Sequence, residues 1–335
     1  MVAEKEVVIG GGVSALAYLA TLSSETRAEV TWVRGPEGLS ALGAGAIEIF
    51  EPLALEDGRL TRQELYTATR LQNATLAAWG DAQASWLKSL NALGSRLGWP
   101  SIDDLSEFDW FPHEDGTLIP CSGNWLTGPR APLTSEMGVV FCGNEPEPQR
   151  VVDGWNYDSE RLGLPYHWSL LQLPESEETT LESFVDACLD QRADTKVLAL
   201  HRVPNGLSWF AVRDLLAARS DVACIPVGCI GGRGVAYEAI QRLRDSFYLE
   251  VAEARRGRVE ALSSHADRVD IGLSGESLSA EKVKLAVGRG DTTLSAYALE
   301  NSQIELVGSV LDAVQGIQSR GWVETHRLAL EVAVQ

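Results

Sequence analysis

Three consecutive glycines, Gly10-Gly11-Gly12, follow the short apolar run Glu6–Ile9 (EVVI) near the start of the chain. Glycines in that position can do one kind of chemistry. Their bare backbone lets a phosphate approach main-chain N–H groups, and a helix that starts there adds the positive end of its dipole. Gly10 permits the tight turn and Gly12 the close approach of a pyrophosphate. Ala15 takes the third glycine position of a G-x-G-x-x-G pattern, where only close helix–strand packing is needed. Gly10, Gly11, Gly12, Ser14 and Ala15 therefore form the first candidate cofactor-binding set.

A second β-like run, Glu29–Val33 (EVTWV), ends in Arg34-Gly35. An adenosine ribose site normally has Asp or Glu at this strand end. Arg34 could instead pair with a 2′-phosphate, meet a flavin phosphate, or be a solvated surface residue. The segment from Gly35 to Ile49 is rich in small residues, Ser40 and Gly45 among them. It is similar to the segment that runs beneath the cofactor in glutathione-reductase-like flavoproteins. It also reads as a plain loop into a helix.

Other chemistry is sparse. The five cysteines, Cys121, Cys142, Cys188, Cys224 and Cys229, form no CxxC, and the five histidines form no HxH or HExxH. The sequence predicts reduced thiols and no protein-bound metal. His113, Thr117 and Arg130 are candidates to hold a substrate anion. With 28 Lys+Arg against 47 Asp+Glu the net charge is −19, which argues against nucleic acid and against an unaided anionic membrane surface. No apolar run reaches the ~18–20 residues of a membrane span, and the N-terminus lacks a signal-peptide shape. A cytoplasmic protein is expected, reaching a membrane only through partners.

These residues need elements to position them. The 335 residues, 45% hydrophobic and 22% charged, suggest about two domains with a sizeable core. The N-terminus reads strand, Gly turn, helix (Val13–Ala20), strand, which opens a dinucleotide-binding βαβ unit. Residues 51–110 read as helical and 108–170 as an irregular Trp-, Pro- and Gly-rich stretch. Lys196–Leu200 and Val222–Val227 read as strands around a helix at Trp209–Ala218. Further on, Val235–Asp245 reads as a helix. Phe247–Ala254, Arg258–Leu262, Val269–Leu273, Lys282–Val287 and Ile304–Val307 read as strands, and Gly321 to Val334 as a last helix. The fold class is α/β, a glutathione-reductase-like Rossmann domain with an inserted cap. Residues 1–50 and 231–335 would form the nucleotide domain and residues 51–230 the cap.

Four segments carry a family resemblance: Gly10-Gly11-Gly12 with Val33-Arg34-Gly35 and Ser40-Ala41-Leu42; Gly116-Thr117-Leu118 with Trp125-Leu126; Ile225-Pro226 through Gly234; and Ile304 through Leu311 (IELVGSVL). On these the chain resembles the B subunit of anaerobic glycerol-3-phosphate dehydrogenase, a flavoprotein subunit. The resemblance implies FAD or FMN, held also near Gly288, Gly308, Arg320 and Gly321. It implies an FAD-containing catalytic subunit and an iron–sulfur subunit as partners, with electrons passing to quinone. The chain departs from the family after Leu311, where Asp312 to Trp322 has lost most of the family's glycines. Three functions stay open: a flavin-binding subunit of such a complex, a stand-alone FAD- or NADP-dependent oxidoreductase of a small molecule, and a scaffold that has lost its flavin. No catalytic base is identified.

Overall fold

The computed structural model describes residues 4–38, 91–99, 101, 109–112, 116, 118–121, 135–143, 147–174, 176, 178–191, 195–204, 206–227, 229–230, 233–234, 236–287, 294, 297–298 and 301–307. In chain order the first elements are β1 (Glu4–Ile9), α1 (Val13–Thr21), α2 (Ser24–Arg27), β2 (Val30–Arg34), β3 (Asp109–Pro112), β4 (Leu118–Cys121) and β5 (Glu136–Cys142). Then come α3 (Pro148–Leu162), β6 (His167–Leu173), α4 (Leu181–Gln191), β7 (Val197–Leu200), α5 (Trp209–Arg219) and β8 (Ala223–Pro226). The last are β9 (Cys229–Ile230), β10 (Arg233–Gly234), α6 (Ala236–Tyr248), β11 (Glu253–Arg256), β12 (Val259–Ser264), β13 (Val269–Leu273), β14 (Glu276–Leu285) and β15 (Ile304–Leu306). They fall into two compact units, one of Met1–Leu39, Ile49–Ser106 and Ile240–Gln335, the other of Ser40–Glu48 and Glu107–Ala239.

The first unit is built on a seven-stranded sheet of order β11-β2-β1-β14-β13-β12, with β15 also paired to β14. β11, β2, β1 and the end of β14 run parallel, and β15 pairs parallel with β14. Val7, Val8, Ile9, Val30, Trp32 and Val33 are all buried. Continuous rather than alternating burial is what central parallel strands require, because both their faces are covered. β12 and β13 form an antiparallel meander with the first half of β14. β14 then runs on beside β1, so the strand order reverses between β1 and β14. In open α/β sheets ligands bind at the carboxyl ends of the strands at such a reversal. The expected α/β Rossmann-type fold is therefore present, and Glu6–Ile9, Val30–Val33 and Ile304–Leu306 share one sheet.

The second unit holds a four-stranded, fully parallel sheet of order β6-β5-β7-β8. α3 and α4 pack against β6, and α5 against β8. β3 and β4 form a separate antiparallel pair. The expectation of an irregular stretch over 108–170 is corrected here, because β5, α3 and the start of β6 lie within it. Two of its tryptophans are core residues: Trp155 and Trp168 are buried and meet edge to face, 5.2 Å between ring centroids. Small residues serve close packing, since a Cβ on Gly154 of α3 would lie 2.4 Å from the Gly116 carbonyl oxygen.

Two further differences have local causes. Phe247 closes α6 rather than opening a strand, because Ala236, Ala239, Ile240, Leu243 and Phe247 make one buried helical stripe. The strand starts only at Glu253. Residues 91–96, within the span read as cap, are helical, and their Arg96 binds Glu250 in the first unit. The two bonds measure 2.7 and 2.8 Å, and the Arg96 guanidinium lies 3.9 Å from the centroid of the Phe247 ring.

Candidate functional site

The sheet of the first unit places the glycine turn at the strand-order reversal. The end of β1 is held from both sides: Ala286 N–H donates to the Ile9 carbonyl at 2.7 Å, and Gly10 N–H donates to the Val33 carbonyl at 3.0 Å. The buried Trp32 indole donates to the Gly10 carbonyl at 2.7 Å. Gly10 has φ 143°, and a Cβ there would lie 2.3 Å from the Ala286 carbonyl oxygen. Only glycine satisfies both demands. Gly12 then caps α1 in an extended conformation, and no side chain caps the helix. The first N–H groups of such a helix are open to an external acceptor. Ser14 and Ala15 are buried in the first turn of α1. This turn without Cβ atoms at an uncapped helix start suits a phosphate and fits the group the sequence implies.

The segment after β2 lies back over this turn. A Cβ on Gly11 would lie 2.3 Å from the Gly35 carbonyl oxygen and 2.6 Å from that of Pro36. A Cβ on Gly12 would lie 3.1 Å from the Glu37 carbonyl oxygen. Gly38, at φ 79°, continues the loop. Helix α6 fixes it there. Arg244 donates to the Glu37 carboxylate at 2.8 Å and to the Gly35 carbonyl at 3.1 Å, and Gln241 donates to the same carboxylate oxygen at 2.9 Å. Burial pulls the Glu37 carboxyl upward, but its own backbone N–H, Arg244 and Gln241 outweigh that and hold it below the usual carboxylate range.

Arg34 is turned onto aromatic rings. Its guanidinium lies 4.8 Å from the centroid of the Tyr248 ring and 5.7 Å from that of Trp32. Burial first, then the neighbouring Arg244 and Arg256, lower its pKa, so positive potential collects at the ends of β2 and β11. Arg244 spends its charge on Glu37, and Arg255, next to Arg256, binds Glu253 at 2.7 Å and Glu276 at 3.1 Å.

The structure thus brings Gly10, Gly11, Gly12, Ser14, Ala15, Arg34 and Gly35 into one region. Ser40, Gly45, Gly288, Gly308, Arg320 and Gly321 lie outside the described residues, as do His113, Thr117 and Arg130. Beside Thr117, Leu118 N–H donates to the buried Asp158 carboxylate at 3.1 Å. The sequence reading missed Glu37. The signal for it was an acid flanked by Gly35 and Gly38 within a few residues of the strand end, a loop short enough to fold back on the turn.

In the second unit, Asp153, Asn156, Tyr157, Glu160, Tyr166 and His167 line an open groove of about 550 Å³. Cys142, Cys188 and Cys224 carry thiols and are not joined in disulfides. Burial pushes those of Cys188 and Cys224 up to about 12. Among the described residues no group of His, Cys, Asp and Glu could hold a metal ion, and no helix is long and apolar enough to cross a membrane.

No family model matches the chain, and no curated protein matches it. Solved structures with some likeness include glycine oxidase from Bacillus cereus, at 14% identity and a TM-score of 0.31, with 88% of this chain and 58% of that one covered. Glycine oxidase from Geobacillus kaustophilus follows at 15% identity and a TM-score of 0.30, with 87% and 57% covered. The flavoprotein disulfide reductase RclA from Escherichia coli, in a copper complex, has 12% identity and a TM-score of 0.19, with 100% and 70% covered. The chain spans less than three-fifths of either glycine oxidase. At such scores these likenesses assign no chemistry, and the site rests on the chain's own geometry.

Proposed function

We propose that the chain is a flavin-binding oxidoreductase protein that holds FAD at the Gly10–Gly12 turn. One observation carries this reading. The only consecutive glycine triplet of the sequence sits at the carboxyl end of β1, beside β14, where the strand order reverses, and it opens an uncapped helix. Gly10, Gly11, Gly12 and the first turn of α1 would hold the pyrophosphate, and bound flavin would supply hydride and single-electron chemistry. Arg34 and Gly35 flank that turn.

The more specific form of the proposal is a subunit of a glycerol-3-phosphate dehydrogenase-like complex with an FAD-containing subunit and an iron–sulfur partner. The family resemblance in the sequence supports it. It would reach a membrane through those partners. A second reading, a scaffold without flavin, is favoured by the loop Gly35–Gly38 lying over the turn. An absorption spectrum of the purified chain separates the two: a flavin band in the visible supports the first, and a colourless protein that takes up neither FAD nor FMN supports the second. Co-purification with an iron–sulfur protein tests the complex.

A further inference from the structure

We infer that Glu37 reads the adenosine ribose at this site, replacing the acid that is absent from the end of β2; the inference rests on the reading that the glycine turn holds an adenine dinucleotide. Three features lead there. The strand-end position is Arg34, and its guanidinium lies against Tyr248 and Trp32. The loop beyond it places Glu37 against Gly12, with its backbone carbonyl 3.1 Å from where a Gly12 Cβ would stand. Both side-chain donors to Glu37, from Arg244 and Gln241, go to Oε1, and among the described residues Oε2 takes no side-chain donor.

The chemistry follows from that arrangement. An ionised carboxylate only accepts hydrogen bonds, and a ribose diol has two hydroxyls to donate. Arg244 and Gln241 of α6 fix the carboxylate through Oε1; beside the loop's own backbone N–H, no described side chain donates to Oε2, which keeps acceptor capacity for the ligand. Such a group selects a free 2′-hydroxyl and repels a 2′-phosphate. The site would therefore prefer FAD, or another dinucleotide with an unmodified ribose, to a 2′-phosphorylated one. Arg34 would then be a packing residue and not the phosphate partner its position suggests.

The test is calorimetric binding of ADP, 2′,3′-dideoxy-ADP and adenosine 2′,5′-bisphosphate to the parent chain, Gly12→Glu and Glu37→Gln. The amide of Glu37→Gln keeps an oxygen for Arg244. The parent is expected to bind ADP tightest, and Glu37→Gln to lose about tenfold or more for ADP while binding the dideoxy nucleotide like the parent. Because the discrimination is read within each variant, a general loosening of the fold would weaken both nucleotides together. Equal loss for both, tighter binding of the bisphosphate than of ADP, or no loss in Glu37→Gln while Gly12→Glu abolishes binding would each overturn the inference and leave the turn as the site. A parent that binds no adenine nucleotide would overturn both.

Discussion

The two units each contain parallel strands whose order reverses once, between β1 and β14 in the first and between β5 and β7 in the second. What differs is the turn that leaves the first strand of each sheet. After β1 the chain runs through three glycines into α1, with Gly12 extended and no side chain at the cap. After β5 it reaches α3 through Glu147, a non-glycine residue at φ 65°, followed by Pro148 at the first helical position. There a carboxylate stands at the helix start and pairs with Arg150 at 3.1 Å. An anion at α3 would meet that charge, whereas at α1 no side chain stands at the cap. Topology makes a crevice in both sheets, and the residues of the turn decide whether a phosphate can use it.

The largest break in this comparison comes from filling the turn. Gly11→Ala places a methyl 2.3 Å from the Gly35 carbonyl oxygen, and Gly10→Ala meets Ala286 as closely at an unfavourable φ. Each should cost about 3 kcal/mol of stability, read by denaturant unfolding. By contrast, Gly163→Ala at the end of α3, at φ 65° with nothing within 4 Å, should cost only about 1 kcal/mol. Equal costs at Gly11 and Gly163 would mean that the loop over the turn yields freely.

Gly12→Glu sharpens the functional side. Its Cβ has 3.1 Å to the Glu37 carbonyl oxygen, so a small adjustment of the loop accommodates it. The added carboxylate would stand where a pyrophosphate is expected and repel it. Cofactor content after purification should fall to background while the circular dichroism spectrum stays close to the parent's. Undiminished flavin in this variant would remove the turn from the site.

Acid should act on the first unit through Glu250. Hydrogen bonds from Arg96, then from Arg27, hold its pKa down to about 2 against the opposing effect of burial. A carboxyl with a lowered folded-state pKa adds stability above its unfolded pKa, and that stability is lost as pH falls through the folded value. The loss should therefore develop between about pH 5 and pH 2. With the side chain 38% exposed, solvent screening reduces the contribution to about 1–2 kcal/mol. Glu250→Gln should lower the melting temperature at pH 7 and flatten its dependence on pH over that window. A parallel shift of the whole curve would show that the ion pairs are energetically idle.

The smallest effect probes the second unit. Thiols held near 12 are almost fully protonated at pH 8, and protonated thiols alkylate slowly. Peptide mapping after brief iodoacetamide treatment should find Cys188 and Cys224 unmodified in the native chain and modified after denaturation. Rapid native labelling would indicate local opening of the sheet that Cys224 belongs to.

Much of the first unit could be read directly. The runs at Glu6–Ile9, Val269–Leu273 and Ile304–Val307 are apolar and bounded by turn residues, so their strands follow from local pattern. The second unit was harder, because its tryptophans and glycines at 108–170 have no clear period. There Trp155 on α3 and Trp168 on β6 pack on each other, a pairing that no sequence period announces. At the site, the glycines were legible from type and spacing, but the contact of Arg34 with an aromatic ring was not, because α6 supplies Tyr248 from far along the chain.

The sequence by itself determined the glycine turn, the strands around it and the acidic balance, because each depends on neighbours along the chain or on simple counting. Only the tertiary structure decided that β14 lies beside β1, that the loop after β2 covers the turn, and that Glu37 is held there by Arg244 and Gln241. The loop meets the turn across about 25 positions, and the other contacts join residues about 200 to 280 positions apart. No local pattern encodes them, since they form only when burial of the sheet and of α6 brings distant segments together.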